Sequence, residues 1–145
     1  MVDEGALLQG DLLFTELRPV SPPWLELCSG ADRPLALDGL ELRLGAVSLR
    51  LPPGRLPARG CVSLCAFTGC GVEVPLPELD PRAGHVRLIG DALIDSVDWT
   101  GWQDPGSGSW SLDPSVGTPG ANDSASRWCL ADPGTPAAVN PDCGV

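Results

Sequence analysis

The chain has 145 residues, a formal net charge of −10 and a hydrophobic fraction of 43%. This length suits one domain with a packed core, and the hydrophobic fraction excludes an intrinsically disordered chain. An acidic surface repels phosphate backbones, so we expect no nucleic-acid partner. No apolar run reaches the length of a membrane helix, so we expect no membrane span.

The strand pattern begins after a predicted flexible N-terminal segment, residues 1–10, and residues 11–145 are predicted to form a single domain. Apolar residues there recur with a period of two, and Gly or Pro interrupts every window of helix length. This predicts an all-β fold, a two-sheet β-sandwich of about nine or ten short strands. Strands are predicted at residues 11–17, 24–28, 35–37, 40–44, 47–51, 61–67, 72–76, 86–89 and 92–99, with strand-like pieces around Trp110 and Trp128.

The cysteines are even in number, six, in a chain rich in Gly and Pro, which is typical of disulfide-bonded proteins from oxidising compartments. On one strand, Cys61 and Cys65 would lie about 13 Å apart, whereas a disulfide needs less than about 7 Å. Free core thiols and a metal site are the alternatives, although the closely paired cysteines of a structural zinc site are missing. We predict the pairs Cys28 with Cys61, Cys65 with Cys70, and Cys129 with Cys143.

Asp95 is predicted to be a buried structural carboxylate. On a strand it faces the same way as Leu93, Val97 and Trp99. A carboxylate on an apolar face costs several kcal/mol unless it is hydrogen-bonded or paired. We therefore expect backbone N–H groups or an Arg to hold Asp95. The alternative is a β-bulge that turns the side chain outward.

Several aspartates in the second half of the chain suggest calcium binding, because Ca²⁺ takes oxygen ligands from loops. The EF-hand spacing D-x-[DN]-x-[DN]-G is absent, and Asp in a turn usually caps its own backbone. We predict no metal site and no cofactor, with calcium as the alternative. The aspartates are Asp95, Asp98, Asp104, Asp113, Asp123 and Asp132.

Four of the five tryptophans lie in the second half of the chain and divide into two groups. Trp99, Trp110 and Trp128 alternate with polar residues and are expected in the core, where their rings bury a large area. Trp102 lies in a turn-like stretch and is expected to be exposed. Trp102 and Asp104 are therefore the predicted ligand contacts, and an exposed ring at Trp102 would indicate a carbohydrate- or cell-wall-binding module.

An enzyme is not predicted, and no residue is predicted to be catalytic. The one His, His85, makes a small hydrolase the remaining alternative. That alternative has little support, because no G-x-S-x-G elbow occurs on a strand-to-helix turn.

A series of short motifs runs along most of the chain. They are GDLLFTEL at 10–17, WLEL at 24–27, LALDGLEL at 35–42, LIDSVDW at 93–99, SWSL at 109–112, ND at 122–123, WC at 128–129 and GTP at 134–136 followed by Asn140. The order of these motifs resembles a lamin tail domain, in the version found in exported bacterial proteins, and the resemblance covers roughly residues 10–141.

This resemblance implies an immunoglobulin-like β-sandwich that has no active site. It also implies a non-enzymatic binding or structural module of an exported or cell-surface protein, placed outside the cell, on its surface or in the periplasm. The expected partner is a protein or a cell-surface polymer. The two rival functions are carbohydrate binding through Trp102 and hydrolysis through His85.

Overall fold

The fold is all-β. The computed structural model describes residues 11–19, 23–66, 71–80, 82–100, 102, 109–112 and 128–131. These residues contain no helix, and the strands are β1 (Leu12–Arg18), β2 (Trp24–Ser29), β3 (Leu35–Ala36), β4 (Glu41–Leu44), β5 (Val47–Arg50), β6 (Arg55–Leu56), β7 (Cys61–Cys65), β8 (Val72–Glu73), β9 (His85–Ile89), β10 (Leu93–Asp98), β11 (Ser109–Leu112) and β12 (Trp128–Ala131).

Two larger sheets form a β-sandwich, as predicted. One has six strands in the order β12-β11-β1-β2-β7-β8, and the other has four in the order β10-β9-β4-β5; a small third sheet pairs β3 with β6. All pairings are antiparallel except β7 with β8. The described residues contain twelve strands, whereas the sequence pattern predicts about nine or ten. The two-residue β6 is too short to show a period, and Pro residues flank it on both sides.

The core is built mainly from leucine side chains of both larger sheets. Leu25, Leu27 and Leu64 of the six-stranded sheet are 0% exposed, as are Leu42 and Leu88 of the four-stranded sheet. Each such burial contributes about 1.5–3 kcal/mol relative to an exposed side chain. The period-two pattern of the sequence therefore orients each strand by sending its leucines inward.

Asp95 connects the two larger sheets. Its side chain is 1% exposed, and its Oδ2 accepts the backbone N–H of Phe14 at 2.8 Å. The pairing register shifts at both residues, between Phe14 and Glu16 in β1 and between Leu93 and Asp95 in β10. A bulge frees a backbone N–H from the ladder. The Asp95 carboxylate accepts its hydrogen bond from a residue next to the bulge in β1.

A disulfide joins β2 to the neighbouring β7. Cys28 and Cys61 are opposite each other in the pairing register, and their sulfurs are bonded. Cys65 and Cys129 are disulfide-bonded as well. The predicted Cys28–Cys61 pair is therefore confirmed. The other two predicted pairs involve Cys70 and Cys143, which lie outside the described residues.

None of the described residues belongs to a helix with the length and hydropathy that a membrane crossing requires. The predicted flexible segment at residues 1–10 also lies outside the described part of the chain.

Candidate functional site

Two glutamates face each other on the outer side of the six-stranded sheet. Glu16 of β1 is directly opposite Glu26 of β2, and both are 0% exposed. The Ser109 hydroxyl donates to Glu16 Oε2 at 2.5 Å, and the Thr15 hydroxyl donates to Glu26 Oε1 at 2.7 Å. A substrate cannot reach carboxylates that are covered in this way. Their hydroxyl partners give them a structural role, as buried polar groups require.

The glutamate pair belongs to a polar row that crosses five strands. Ser111 lies opposite Glu16, Cys129 opposite Ser111, and Ser63 opposite Glu26. Sequence reasoning missed this row, although both glutamates stand in the motifs of the resemblance. One signal in the sequence could have revealed it. Glu26 lies on the same face of its strand as Trp24, and a Trp on that face indicates that the face is covered by other residues.

One cluster has the composition of a metal site. Ligand atoms of Glu26, Cys28 and Cys61 lie within 4.8 Å of one another, and no other group of three or more potential ligand residues was found in the described ranges. Zinc binds cysteine as the thiolate. The sulfurs of Cys28 and Cys61 are bonded to each other, so neither can supply a thiolate. The oxidised protein does not fit a thiolate metal site at this position.

The aspartates that suggested calcium do not converge in the described structure. Asp95 is engaged with the Phe14 N–H, and Asp98 accepts the backbone N–H of Thr100 at 2.9 Å. Hydrogen bonds from the Thr100 side chain and backbone lower the pKa of Asp98, and electrostatic interactions with His85 and Arg87 add to this shift. The remaining four aspartates of that set, Asp104, Asp113, Asp123 and Asp132, lie outside the described residues.

Trp102 is partly buried, whereas the sequence suggested an exposed ring. Its ring centroid lies 5.3 Å from that of Trp110, in a T-shaped arrangement, and 5.4 Å from that of Trp128. Trp110 also contacts Trp99, at 5.9 Å. Both neighbours of Trp102 are buried core residues, as is Trp99. A sugar-stacking platform needs an open ring face, and two rings already pack against Trp102. Ligand contact by Trp102 and Asp104 stays a prediction.

His85 lies beside a shallow pocket of about 190 Å³ between the β4–β5 hairpin and the segment before β9. The acidic residues Glu78 and Asp80 line it together with the Trp99 ring. No Ser, Thr or Cys is among the described lining residues, so His85 has no nucleophile there to activate. In the β9–β10 ladder His85 is opposite Asp98. This placement gives the hydrolase alternative no support.

Gly84 and Trp99, which both line this pocket, pack closely against each other. A Cβ atom at Gly84 would lie 2.5 Å from Cζ2 of Trp99. The Trp99 indole also donates to the Asp80 carbonyl at 2.7 Å, and its backbone N–H donates to the Gly84 carbonyl at 3.0 Å. These two hydrogen bonds oppose any displacement of the ring.

Gly84→Ala is expected to lower the free energy of unfolding by about 1–2 kcal/mol, because the added methyl group displaces a buried ring. Urea titration followed by tryptophan fluorescence measures this loss. Ala83→Gly at the exposed neighbouring position is the control for a change in backbone freedom. An unchanged unfolding midpoint for Gly84→Ala would contradict the close approach to Trp99.

No protein-family model matches this chain, and no curated protein matches it.

Proposed function

We propose that this chain is a non-enzymatic binding or structural module of an exported or cell-surface protein. It would work outside the cell, on its surface or in the periplasm, and its partner would be a protein or a cell-surface polymer. The main support for this proposal is that Cys28, Cys61, Cys65 and Cys129 are all disulfide-bonded. Disulfides persist in oxidising compartments and are rare in a reducing cytosol.

The chemistry of the buried polar groups supports a module without catalysis. Asp95, Glu16 and Glu26 are the buried carboxylates among the described residues, and each accepts a hydrogen bond from the protein itself. Catalytic carboxylates need contact with a substrate, at hydrogen-bond distance from the proton that they transfer. These three hold the fold together instead.

The immunoglobulin-like, lamin-tail type of sandwich is part of the same proposal. Its support is the order of sequence motifs, together with a sandwich in which the six-stranded sheet packs on the four-stranded one. Fold alone does not define a function. The module would bind its partner through its surface.

A free-thiol count tests the compartment. The full chain, produced in an oxidising compartment, is denatured without reductant, treated with an alkylating agent and weighed by intact mass spectrometry. We expect no alkylated cysteine. The same protein reduced before alkylation is the control and should take up six alkyl groups, one for each cysteine. Six free thiols in the unreduced sample would contradict an exported, disulfide-bonded module.

A further inference from the structure

Among the described strands, β5 has an unpaired edge that is suited to bind another chain. β5 is a terminal strand of the four-stranded sheet and pairs with β4 in regular register, without a bulge. Alternate N–H and C=O groups of β5 therefore have no sheet partner among the described strands. Such an edge is a template for a further strand.

Two other edges carry features that discourage strand addition. β10 has a register shift and an inward carboxylate at Asp95. β8 has two residues, and Pro75 and Pro77 follow it closely. Bulges, inward charges, short strands and Pro are the usual protections of sheet edges. β5 has no register shift and no inward charge, it is twice as long as β8, and its residues Val47, Ser48 and Arg50 are exposed. Pro52 follows β5 at the same distance as Pro75 follows β8.

Arginines lie on the outward face beside this edge. Arg43 of β4 is directly opposite Arg87 of β9, and Arg50 of β5 is opposite Glu41 of β4. Like charges in direct opposition destabilise a sheet. Glu41 pairs with Arg43 at 2.8 Å, and within the described ranges Arg87 has no ion pair. In a chain with a net charge of −10, this face offers guanidinium groups to an acidic partner.

The inward-facing side chains of β5 are apolar. Val47 is 38% exposed, and Leu49 is partly buried against the core. Both side chains point inward with Leu44 and Leu42, their partners in β4. The pocket lined by Val47 and Trp99 opens beside them. A strand added to β5 would cover these apolar surfaces with its own inward side chains.

We propose that β5 binds an extended partner segment that alternates acidic and apolar residues, by β-strand addition. The acidic side chains lie outward against Arg50 and Arg43, and the apolar ones lie inward against Val47 and Leu49. A second copy of β5 is the wrong occupant, because it would bring further arginines to the same face. This assignment rests on the proposed function as a binding module and names the chemistry of its partner.

A fluorescent peptide of alternating aspartate and valine tests the assignment on the full, oxidised chain. We expect saturable binding that weakens as salt is added, with new hydrogen-exchange protection confined to β5 and its neighbours. A peptide of alternating lysine and valine should not bind. Failure of the acidic peptide to bind, equal binding of both peptides, or protection at another edge would each overturn the proposal.

Variants locate the contact. Arg50→Glu reverses the outward charge, and Val47→Lys places a charge on the inward edge; each should weaken the acidic peptide about tenfold. Arg33→Glu makes the same charge change in the turn after β2 and is expected to leave the affinity within about twofold. If one β5 variant fails to fold, Ser48→Glu at an exposed position of that strand replaces it. Wild-type affinity in the folded β5 variants would contradict the assignment.

The peptide test and the thiol count fail separately. If the fully oxidised protein does not bind the acidic peptide, the β5 assignment is contradicted and the proposal of an exported module is not. Free thiols remove the oxidising compartment, and the peptide measurement on β5 is unaffected by that result.

Discussion

Replacing Cys28 and Cys61 together by Ala is expected to lower the free energy of unfolding by about 3–4 kcal/mol. The two residues are separated by 33 positions in sequence. A cross-link over a loop of this length removes much conformational freedom from the unfolded chain, so its loss favours unfolding. Urea titration with linear extrapolation measures the difference from the unmodified protein.

Reduction provides the control for this double variant. In the presence of a dithiol reductant the unmodified protein also loses the Cys28–Cys61 bond, so the difference in stability between the two proteins should disappear. A deficit that persists under reduction would come from lost packing of the cysteine side chains. A deficit below about 1 kcal/mol without reductant would show that the cross-link contributes little to stability.

Asp95→Ala is expected to destabilise the protein by about 2–3 kcal/mol, because it leaves the buried N–H of Phe14 without its carboxylate acceptor. Asp95→Asn keeps an oxygen at the same position and should cost less than Asp95→Ala. The order of the two variants separates loss of the acceptor from loss of the charge. Thermal or urea unfolding of the oxidised protein measures both.

Asp98→Ala is the matched control for Asp95→Ala. Asp98 lies three residues further along β10, is exposed, and caps the backbone of Thr100. Its loss should cost about 1 kcal/mol or less, as for an exposed side-chain hydrogen bond. Equal costs at the two positions would falsify the view that Asp95 bridges the sheets through a buried bond.

The two predictions concern different links in the same sandwich. The Cys28–Cys61 bond joins neighbouring strands within the six-stranded sheet, whereas Asp95 joins that sheet to the four-stranded one. Leu13 and Thr15, the neighbours of Phe14 in β1, are in contact with Cys28, so a combined variant measures the coupling between the two sites.

The proposed binding edge follows from topology. The residues of β5 read in sequence as an ordinary strand, because Val47 and Leu49 alternate with Ser48 and Arg50. Whether such a strand lies inside a sheet or at its edge depends on pairings with residues far away in the chain. The hairpin that ends at β5 turns at Gly45, whose φ of 60° suits the first position of a type II′ turn.

The sequence by itself determined the all-β class and the sandwich, because period two and turn residues are local properties. It predicted the Cys28–Cys61 pair only as one of several possible pairings, since the reach of a disulfide excluded Cys61–Cys65 alone, and the register of β2 with β7 decided it. It also indicated the hydrogen-bonding problem that Asp95 poses on an apolar face. Only the tertiary structure decided that Phe14 supplies the N–H to Asp95, that Glu16 faces Glu26, that Trp102 packs against Trp110, and that β5 is an edge. These contacts join residues far apart in the chain, and their register depends on bulges and sheet order that a local pattern does not encode.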